Sequence, residues 1–133
     1  MNKNRVWIYC RTAYPDLTAL EIQKSYLTDY ADKHDLSIVG ITAEHGSGLD
    51  YSRAGLCEVL EAAEDGRIDC VLIKNLERLG RDLVKTDGCI RWLKERAVEI
   101  ICADGTVPQA STEILAHLMQ ASGVAKQLGQ EIQ

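Results

Sequence analysis

The sequence predicts a layered α/β fold with a largely parallel sheet, and three observations support this class. Short runs rich in β-forming residues alternate with segments whose apolar residues recur at helical spacing. Each predicted strand is followed by a predicted helix, which is the order typical of parallel strands joined by crossovers. The chain has 133 residues, enough for one domain with one hydrophobic core.

The first half of the chain is predicted to contain two strands and two helices. Residues 6–10 are β-forming and apolar, which favours a buried strand, and the Tyr14-Pro15-Asp16 turn ends it. A glycine-containing loop precedes the second helix, and Gly66 suits the C-terminal cap of that helix. The predicted elements are strand 6–10, a helix from Ala19 to about His34, strand 36–42, loop 44–52 and helix 56–63.

The second half continues the alternation and ends in a helix. Its predicted elements are strand 68–73, helix 83–93, strand 98–102 and a final helix over 114–128. We expect residues 1–108 to form the compact domain and residues 109–133 to form a C-terminal helix. The apolar face of that helix fits either packing in the core or the seam of a homodimer.

Composition narrows the class of protein. No apolar run approaches the ~20 residues that a transmembrane helix needs, and the N-terminus leads into the first strand instead of a signal peptide. The five cysteines form no C-x-x-C pair, so we expect buried free thiols in a reducing cytoplasm, with no metal or cofactor. The net charge of −5 argues against strong DNA binding by the chain alone, although a local basic cluster can bind a phosphate.

Four arginines are expected to converge on one side of the sheet. Each follows a predicted strand or lies in the loop after it, and the carboxyl ends of parallel strands share one edge. A guanidinium is planar, always charged and bidentate, so it suits a phosphate. Four guanidinium groups at one point repel each other unless an anion, or carboxylates such as Glu44 and Glu77, balance their charge. The alternative to one shared site is that the four arginines form unrelated ion pairs on the surface. These residues are Arg11, Arg53, Arg78 and Arg81.

Several spaced motifs resemble one known family. Residues 9–13 read Tyr-Cys-Arg-Thr-Ala where that family has Tyr-x-Arg-Val-Ser at the end of the first strand. Residues 76–82 read Leu-Glu-Arg-Leu-Gly-Arg-Asp, which follows the family signature Leu-x-Arg-Leu-Gly-Arg-Asp. The chain is thus similar to the catalytic domain of the serine site-specific recombinases, the resolvase and invertase group. Between these motifs the other matching residues are Gln23, Glu44, Ser47-Gly48, Arg53, Gly55-Leu56 and Lys74.

The resemblance implies a fold, a reaction and a set of site residues. The fold is a three-layer resolvase-like domain with a mostly parallel sheet of four or five strands between helices. In the reaction a serine hydroxyl attacks a DNA phosphodiester and forms a phosphoserine link, without metal or cofactor. Arginines stabilise the charge on the phosphoryl oxygens. The implied site residues are Arg11, Arg53, Arg78, Arg81, Gln23, Glu77, Lys74 and, at the nucleophile position, Ala13.

Ala13 is the main departure from the family pattern. A methyl group cannot attack phosphorus, so the covalent route through this position is closed. Thr12, Tyr14 and Ser47 carry nearby hydroxyls. Thr12 is expected to face the other side of the strand, Tyr14 has no evident base and Ser47 lies in a loop. The residues after Ala13 also differ from the family pattern, which favours natural loss of the serine over an engineered substitution.

We therefore predict a recombinase-type domain for DNA strand exchange that does not cleave DNA, a pseudoenzyme. The resemblance implies that the final helix begins the oligomerisation helix of the family. We expect a homodimer through that helix, no DNA-binding module, and weak contact with the DNA backbone. One alternative is a regulatory module, or one that binds an anion or nucleotide through the arginines. Another is an active enzyme with a displaced nucleophile. The chain contains no phosphate-binding P-loop signature.

Overall fold

A computed structural model describes residues 4–106 and residue 108. The predicted final helix over 114–128, and with it the whole C-terminal segment 109–133, lies outside the described residues. No helix in the described part of the chain has the length and apolar character to cross a membrane. The elements in chain order are β1 (Arg5–Thr12), α1 (Leu17–Lys33), β2 (Ser37–His45), α2 (Ala54–Glu64), β3 (Cys70–Ile73), α3 (Leu76–Leu79), α4 (Leu83–Glu95) and β4 (Glu99–Cys102).

The four strands form one sheet in the order β2-β1-β3-β4, and every neighbouring pair is parallel. The predicted α/β class with a parallel sheet is confirmed. β1 pairs with both β2 and β3, so it lies inside the sheet, and nearly all of its residues are buried. This explains its continuous apolar run, because a strand covered on both faces has no solvent side to mark with polar residues.

Helices cover both faces of the sheet. Side chains of β1 alternate between two cores, with Trp7 and Tyr9 on one face and Ile8 and Cys10 on the other. The Trp7 face is covered by apolar residues of α2 and α4. The Ile8 face is covered by Leu20, Leu27 and Ala31 of α1. The result is a three-layer arrangement in which every strand ends toward the same edge of the sheet.

The structure corrects several predicted boundaries. β2 continues to His45, so the predicted loop over 44–52 begins later and Glu44 lies in the strand. The short helix α3 was not predicted, because four residues carry too little periodicity to detect. α1 begins at Leu17 because the Asp16 side chain accepts a hydrogen bond from the Ala19 N–H at 2.9 Å and caps the helix. The expectation that every cysteine is buried is wrong for Cys57, which is exposed on α2.

Candidate functional site

The structure brings all four arginines to the edge of the sheet where the strands end, which we call the carboxyl edge. β1 and β2 end side by side, with Arg11 opposite Glu44 and Thr12 opposite His45. α3 begins three residues after β3 ends. The arginine cluster consists of Arg11 at the end of β1, Arg53 at the N-cap of α2, Arg78 in α3 and Arg81 between α3 and α4.

Arg11 connects three segments of the carboxyl edge. Only 3% of its surface is exposed, and its guanidinium donates hydrogen bonds to three backbone carbonyls. Nε donates to the Arg78 carbonyl at 3.0 Å, Nη1 to the Gly46 carbonyl at 2.9 Å, and Nη2 to the Glu77 carbonyl. A guanidinium can do this because its five N–H donors form a rigid fork. These bonds fasten β1 to the loop after β2 and to α3 while leaving the positive charge uncompensated.

Arg53 is held in a similar way. Its Nη atoms donate to the carbonyls of Ser47, at 3.4 Å, and Leu79. The guanidinium carbon lies 5.7 Å from the centre of the Tyr9 ring and 5.8 Å from that of Tyr51, within range of cation–π attraction. Its Nε is buried without a hydrogen-bond partner among the described residues. A buried donor without an acceptor is costly, so this atom favours an incoming anion.

Arg78 and Arg81 complete the cluster. Arg78 donates from Nη1 to the Arg11 carbonyl at 3.0 Å, and its Nε is also buried without a partner in the described part of the chain. Arg81 is exposed and lies against Gly48, whose carbonyl accepts the Arg81 backbone N–H at 2.7 Å. A Cβ on Gly48 would overlap the Arg81 stem and lie 3.1 Å from Arg11 Nη2. The glycine therefore allows these two side chains to approach each other.

The cluster carries positive charge without local compensation. Burial lowers the pKa of Arg11, and repulsion from Arg53, Arg78 and Arg81 lowers it further. Within residues 4–106, no member of the cluster forms an ion pair with a carboxylate. Of the two alternatives, an anion or carboxylates such as Glu44 and Glu77, the carboxylates form no ion pair with the cluster. The Glu77 side chain is exposed, and only its backbone carbonyl contacts the cluster.

Glu44 instead holds the start of α2. Its carboxylate accepts hydrogen bonds from the N–H groups of Gly55, at 2.8 Å, and Leu56, at 2.9 Å. It also accepts the Tyr9 hydroxyl at 2.7 Å. Burial and this hydrogen bond raise the pKa of Tyr9, which therefore remains a neutral donor. A carboxylate at a helix N-terminus is favourable because the first N–H groups lack partners in the helix, and here it fixes the position of Arg53.

Gln23 supports the cluster from behind. Its Oε1 accepts the Arg11 backbone N–H at 2.9 Å, and its Nε2 donates to the Arg11 carbonyl at 3.2 Å. Both polar ends of this buried side chain are therefore used by one residue of β1. Gln23 holds the end of the strand and does not point at a ligand. Lys74 is exposed directly after β3, where it lines a cleft with Arg78.

A family model described as Resolvase, N terminal domain, matches residues 6–131. The chain belongs to the resolvase family of serine recombinases. This match confirms the family that the two motifs indicate. It also confirms the predicted resolvase-like fold. A recombinase-type domain is likewise confirmed at the level of the family.

Solved structures have the same fold. The C-terminal catalytic domain of ISC1926 TnpA, an IS607-like serine recombinase, is 27% identical, with a TM-score of 0.71 over 88% of this chain and 80% of that one. The N-terminal catalytic domain of TP901-1 integrase is 20% identical, with a TM-score of 0.75 over 93% and 98%. A resolvase family site-specific recombinase from Streptococcus pneumoniae is 19% identical, with a TM-score of 0.70 over 97% and 99%.

In this resolvase-family chain, Ala13 lies in an exposed bend directly after β1, beside the arginine cluster. Of the three hydroxyls considered as substitutes for the serine, those of Thr12 and Ser47 form hydrogen bonds, and that of Tyr14 belongs to an exposed side chain. Thr12 is buried, and its hydroxyl donates to the Tyr14 carbonyl at 2.7 Å. Ser47 Oγ accepts the Leu49 N–H at 3.1 Å. The Tyr14 side chain is 78% exposed.

Sequence reasoning missed Tyr51 as a part of this site. Its hydroxyl accepts the Asp82 N–H at 3.0 Å and lies 2.7 Å from the Thr86 hydroxyl. Its ring fills the space beside Gly80, where any Cβ would overlap it. Tyr51 thus fastens the turn that carries Arg81 to the loop before α2. No local signal marks it, because its partners lie about thirty residues further along the chain.

The site offers donors for an anion and no set of metal ligands. Among the described residues, no group of three or more histidine, cysteine or acidic side chains is placed to hold a metal ion. The guanidinium groups at the carboxyl edge match the oxygens of a phosphate.

Proposed function

We propose that this domain binds the phosphodiester backbone of DNA through the arginine cluster and does not cleave it by the serine route of its family. The observation that carries the proposal is a set of four guanidinium groups without a carboxylate partner among the described residues, two of which have a buried, unpartnered Nε. Buried, uncompensated charge is costly to maintain, and a bound phosphate diester removes that cost.

Loss of cleavage follows from the chemistry of the nucleophile position. In the family reaction a serine oxygen bonds to phosphorus, the bond to the 3′ oxygen of the leaving strand breaks, and a 3′-hydroxyl is released. The Ala13 methyl group has no lone pair and cannot begin this step. Thr12 does not replace it, because its hydroxyl is bonded to the Tyr14 carbonyl. We therefore interpret the domain as a pseudoenzyme that retains the phosphate-binding part of the site, in which Gln23 orders β1 and Lys74 and Glu77 flank the cluster.

The setting of the domain is part of the proposal. Residues 114–128 have apolar residues at helical spacing, which supports a homodimer through this segment beyond the compact domain of 1–108. Free cysteines in the described part of the chain support a cytoplasmic location. The net charge of −5 supports weak DNA binding by the chain alone. A partner recombinase would supply the remaining affinity for DNA.

The binding test compares two exposed arginines. Arg81→Gln removes one charge from the cluster, whereas Arg67→Gln removes one from an exposed pair with Asp65 at 3.7 Å. We expect Arg81→Gln to weaken the affinity for duplex DNA about tenfold at low salt, as the loss of a charged hydrogen bond predicts. Arg67→Gln should leave affinity within twofold. Equal affinities for all three proteins would contradict the proposal. If inorganic phosphate binds as well as duplex DNA does, an anion-binding module is the better description.

The cleavage test uses supercoiled DNA and a denaturing quench. The unmodified chain and Ala13→Ser are incubated with candidate sites, and covalent protein–DNA adducts are then counted. We expect no adduct from the unmodified chain. An adduct from the unmodified protein would disprove loss of cleavage, and mapping the linked residue would identify the displaced nucleophile. Adducts from Ala13→Ser alone would show that the site lacks only its hydroxyl.

A further inference from the structure

The cleft lined by Lys74 and Arg78 adjoins the arginine cluster on the α1 side of the sheet, and we call it the α1 cleft. Its volume is about 540 Å³, within the range of cavities that hold small ligands. It lies between α1 and the segment that follows β3. Its described lining residues are Thr12, Ala19, Ile22, Gln23, Tyr26, Lys74 and Arg78.

One wall of the α1 cleft is apolar and aromatic. Ile22 is 66% exposed and Tyr26 is 47% exposed, one turn apart on α1, whereas their neighbours Gln23 and Leu27 are buried. An aliphatic and an aromatic side chain at i and i+4 form one continuous surface on a helix. This surface faces an open cavity, and packing among the described residues does not account for it.

The opposite wall of the α1 cleft is basic. Lys74 and Arg78 line it, and the described lining includes no aspartate or glutamate. Arg78 keeps a buried Nε without a partner among the described residues. An apolar aromatic wall facing two cations suits a ligand with a flat, uncharged part and a negatively charged part.

The α1 cleft is continuous with the phosphate site. Arg78 lines the cleft and also belongs to the arginine cluster, where it donates to the Arg11 carbonyl at 3.0 Å. Thr12 lines the cleft and directly precedes Ala13. A group in the cleft is therefore adjacent to a phosphate held by the cluster, as neighbouring nucleotides of one DNA strand are.

We propose that the α1 cleft binds one unpaired nucleotide of DNA, next to the phosphate that the arginine cluster holds. The base stacks on Tyr26 and Ile22, and its phosphate contacts Lys74 and Arg78. The nucleotide must be unpaired because the face of a base inside a duplex is already stacked on its neighbours. This inference rests on the proposed function and adds to it a preference for a locally opened strand.

The experiment compares a fluorescently labelled single-stranded 12-mer with the same sequence as a fully paired duplex, by anisotropy at low salt. We expect Tyr26→Ala to weaken the affinity for the single strand about tenfold, which is the size typical of one lost base–aromatic stack. The affinity for the duplex should change less than twofold. Tyr26→Phe should retain single-strand binding because its ring remains. Val39→Ala is the control and should change neither affinity more than twofold, since Val39 is 44% exposed on β2 and does not line the cleft. Circular dichroism verifies that each variant folds.

Each outcome separates this inference from the proposed function. If Arg81→Gln weakens duplex binding but Tyr26→Ala leaves the single strand unchanged, the cleft is not a nucleotide site and the phosphate proposal survives. Equal losses for single strand and duplex would also overturn the inference, because they indicate a general change in the surface. If neither variant affects either DNA, both proposals fail, and the cleft is better tested as a site for a protein segment.

Discussion

The two ends of β1 carry arginines with opposite environments. At the start, Arg5 forms a bidentate pair with Asp69, with Nε 3.0 Å from Oδ2 and Nη2 3.0 Å from Oδ1. The hydrogen bond to Asp69 raises the pKa of Arg5. Six residues later, Arg11 is surrounded by backbone carbonyls and other arginines, and burial together with that repulsion lowers its pKa.

This contrast extends to the two edges of the sheet. Near the amino ends of the strands, guanidinium groups are paired with carboxylates, and the charge is cancelled locally. At the carboxyl edge, carbonyl oxygens orient the guanidinium groups but leave their full charge in place. A carboxylate-paired arginine has little capacity for a further anion, whereas a carbonyl-held one retains it. The amino-edge pairs are Arg5 with Asp69, Arg67 with Asp65 and Arg96 with Glu64.

The largest expected effect is on the free energy of unfolding, and it compares an alanine substitution of one glycine at each edge. Gly80→Ala at the carboxyl edge places a Cβ within the Tyr51 ring, and we expect a loss of about 2–3 kcal/mol in the free energy of unfolding. Gly66→Ala after α2 meets no neighbour but must keep φ at +70°, which costs about 1 kcal/mol. Urea denaturation measures both.

A second substitution tests the cause. In a Tyr51→Ala background, Gly80→Ala should cost under about 1 kcal/mol more, because the overlapping ring is gone. Gly66→Ala should cost the same in either background. If Tyr51→Ala does not reduce the cost of Gly80→Ala, the turn that carries Arg81 is not held by Tyr51.

The next effect compares the two arginines of β1 directly. Arg11→Met keeps an apolar stem but removes the donors of three partly buried carbonyls, so we expect a loss of about 2 kcal/mol in the free energy of unfolding. Arg5→Met breaks a half-exposed pair, and its cost should be clearly smaller. Denaturation at fixed ionic strength measures both. A larger loss for Arg5→Met would reverse the comparison.

The last comparison, whose effect is absent at neutral pH, uses one buried thiol at each edge. Burial raises the pKa of Cys10, and equally that of Cys70, from 9.0 to about 11. The charges around them differ, since Lys24 and Arg78 lower the pKa of Cys10 whereas Asp69 and Glu99 raise that of Cys70. Because the unfolded thiol loses its proton first, each thiol destabilises the fold as pH rises from about 9 to about 11, and has no such effect below that range.

Cysteine-to-alanine variants measure this contribution. Cys10→Ala and Cys70→Ala should each flatten the fall in stability between pH 9 and 11 by up to about 1.4 kcal/mol per pH unit. Similar slopes for Cys10 and Cys70 would show that burial outweighs the charge of either edge. A much smaller change for Cys10 would show that the positive charges near Cys10 offset the effect of burial on its pKa.

The sequence by itself determined the alternation of strands and helices, the parallel sheet and the meeting of the arginines at one edge. These properties follow from local patterns. The apolar run at 6–10 requires burial on both faces, and parallel strands must end on the same side. The absence of a hydroxyl at Ala13 is likewise read directly from the chain.

The partners of the arginines were decided only by the tertiary structure. Glu44 and Glu77 are carboxylates within the motifs, yet the guanidinium groups of Arg11 and Arg53 bind backbone carbonyls, and Glu44 binds the start of α2. Because every residue has a backbone carbonyl, the identity of the side chains does not indicate which carbonyl accepts the hydrogen bond. The contacts of Arg11 with residues 77 and 78, and of Tyr51 with Asp82, join segments separated by 31 to 67 positions. Such contacts exist only after the layers pack, because packing alone brings those backbones together.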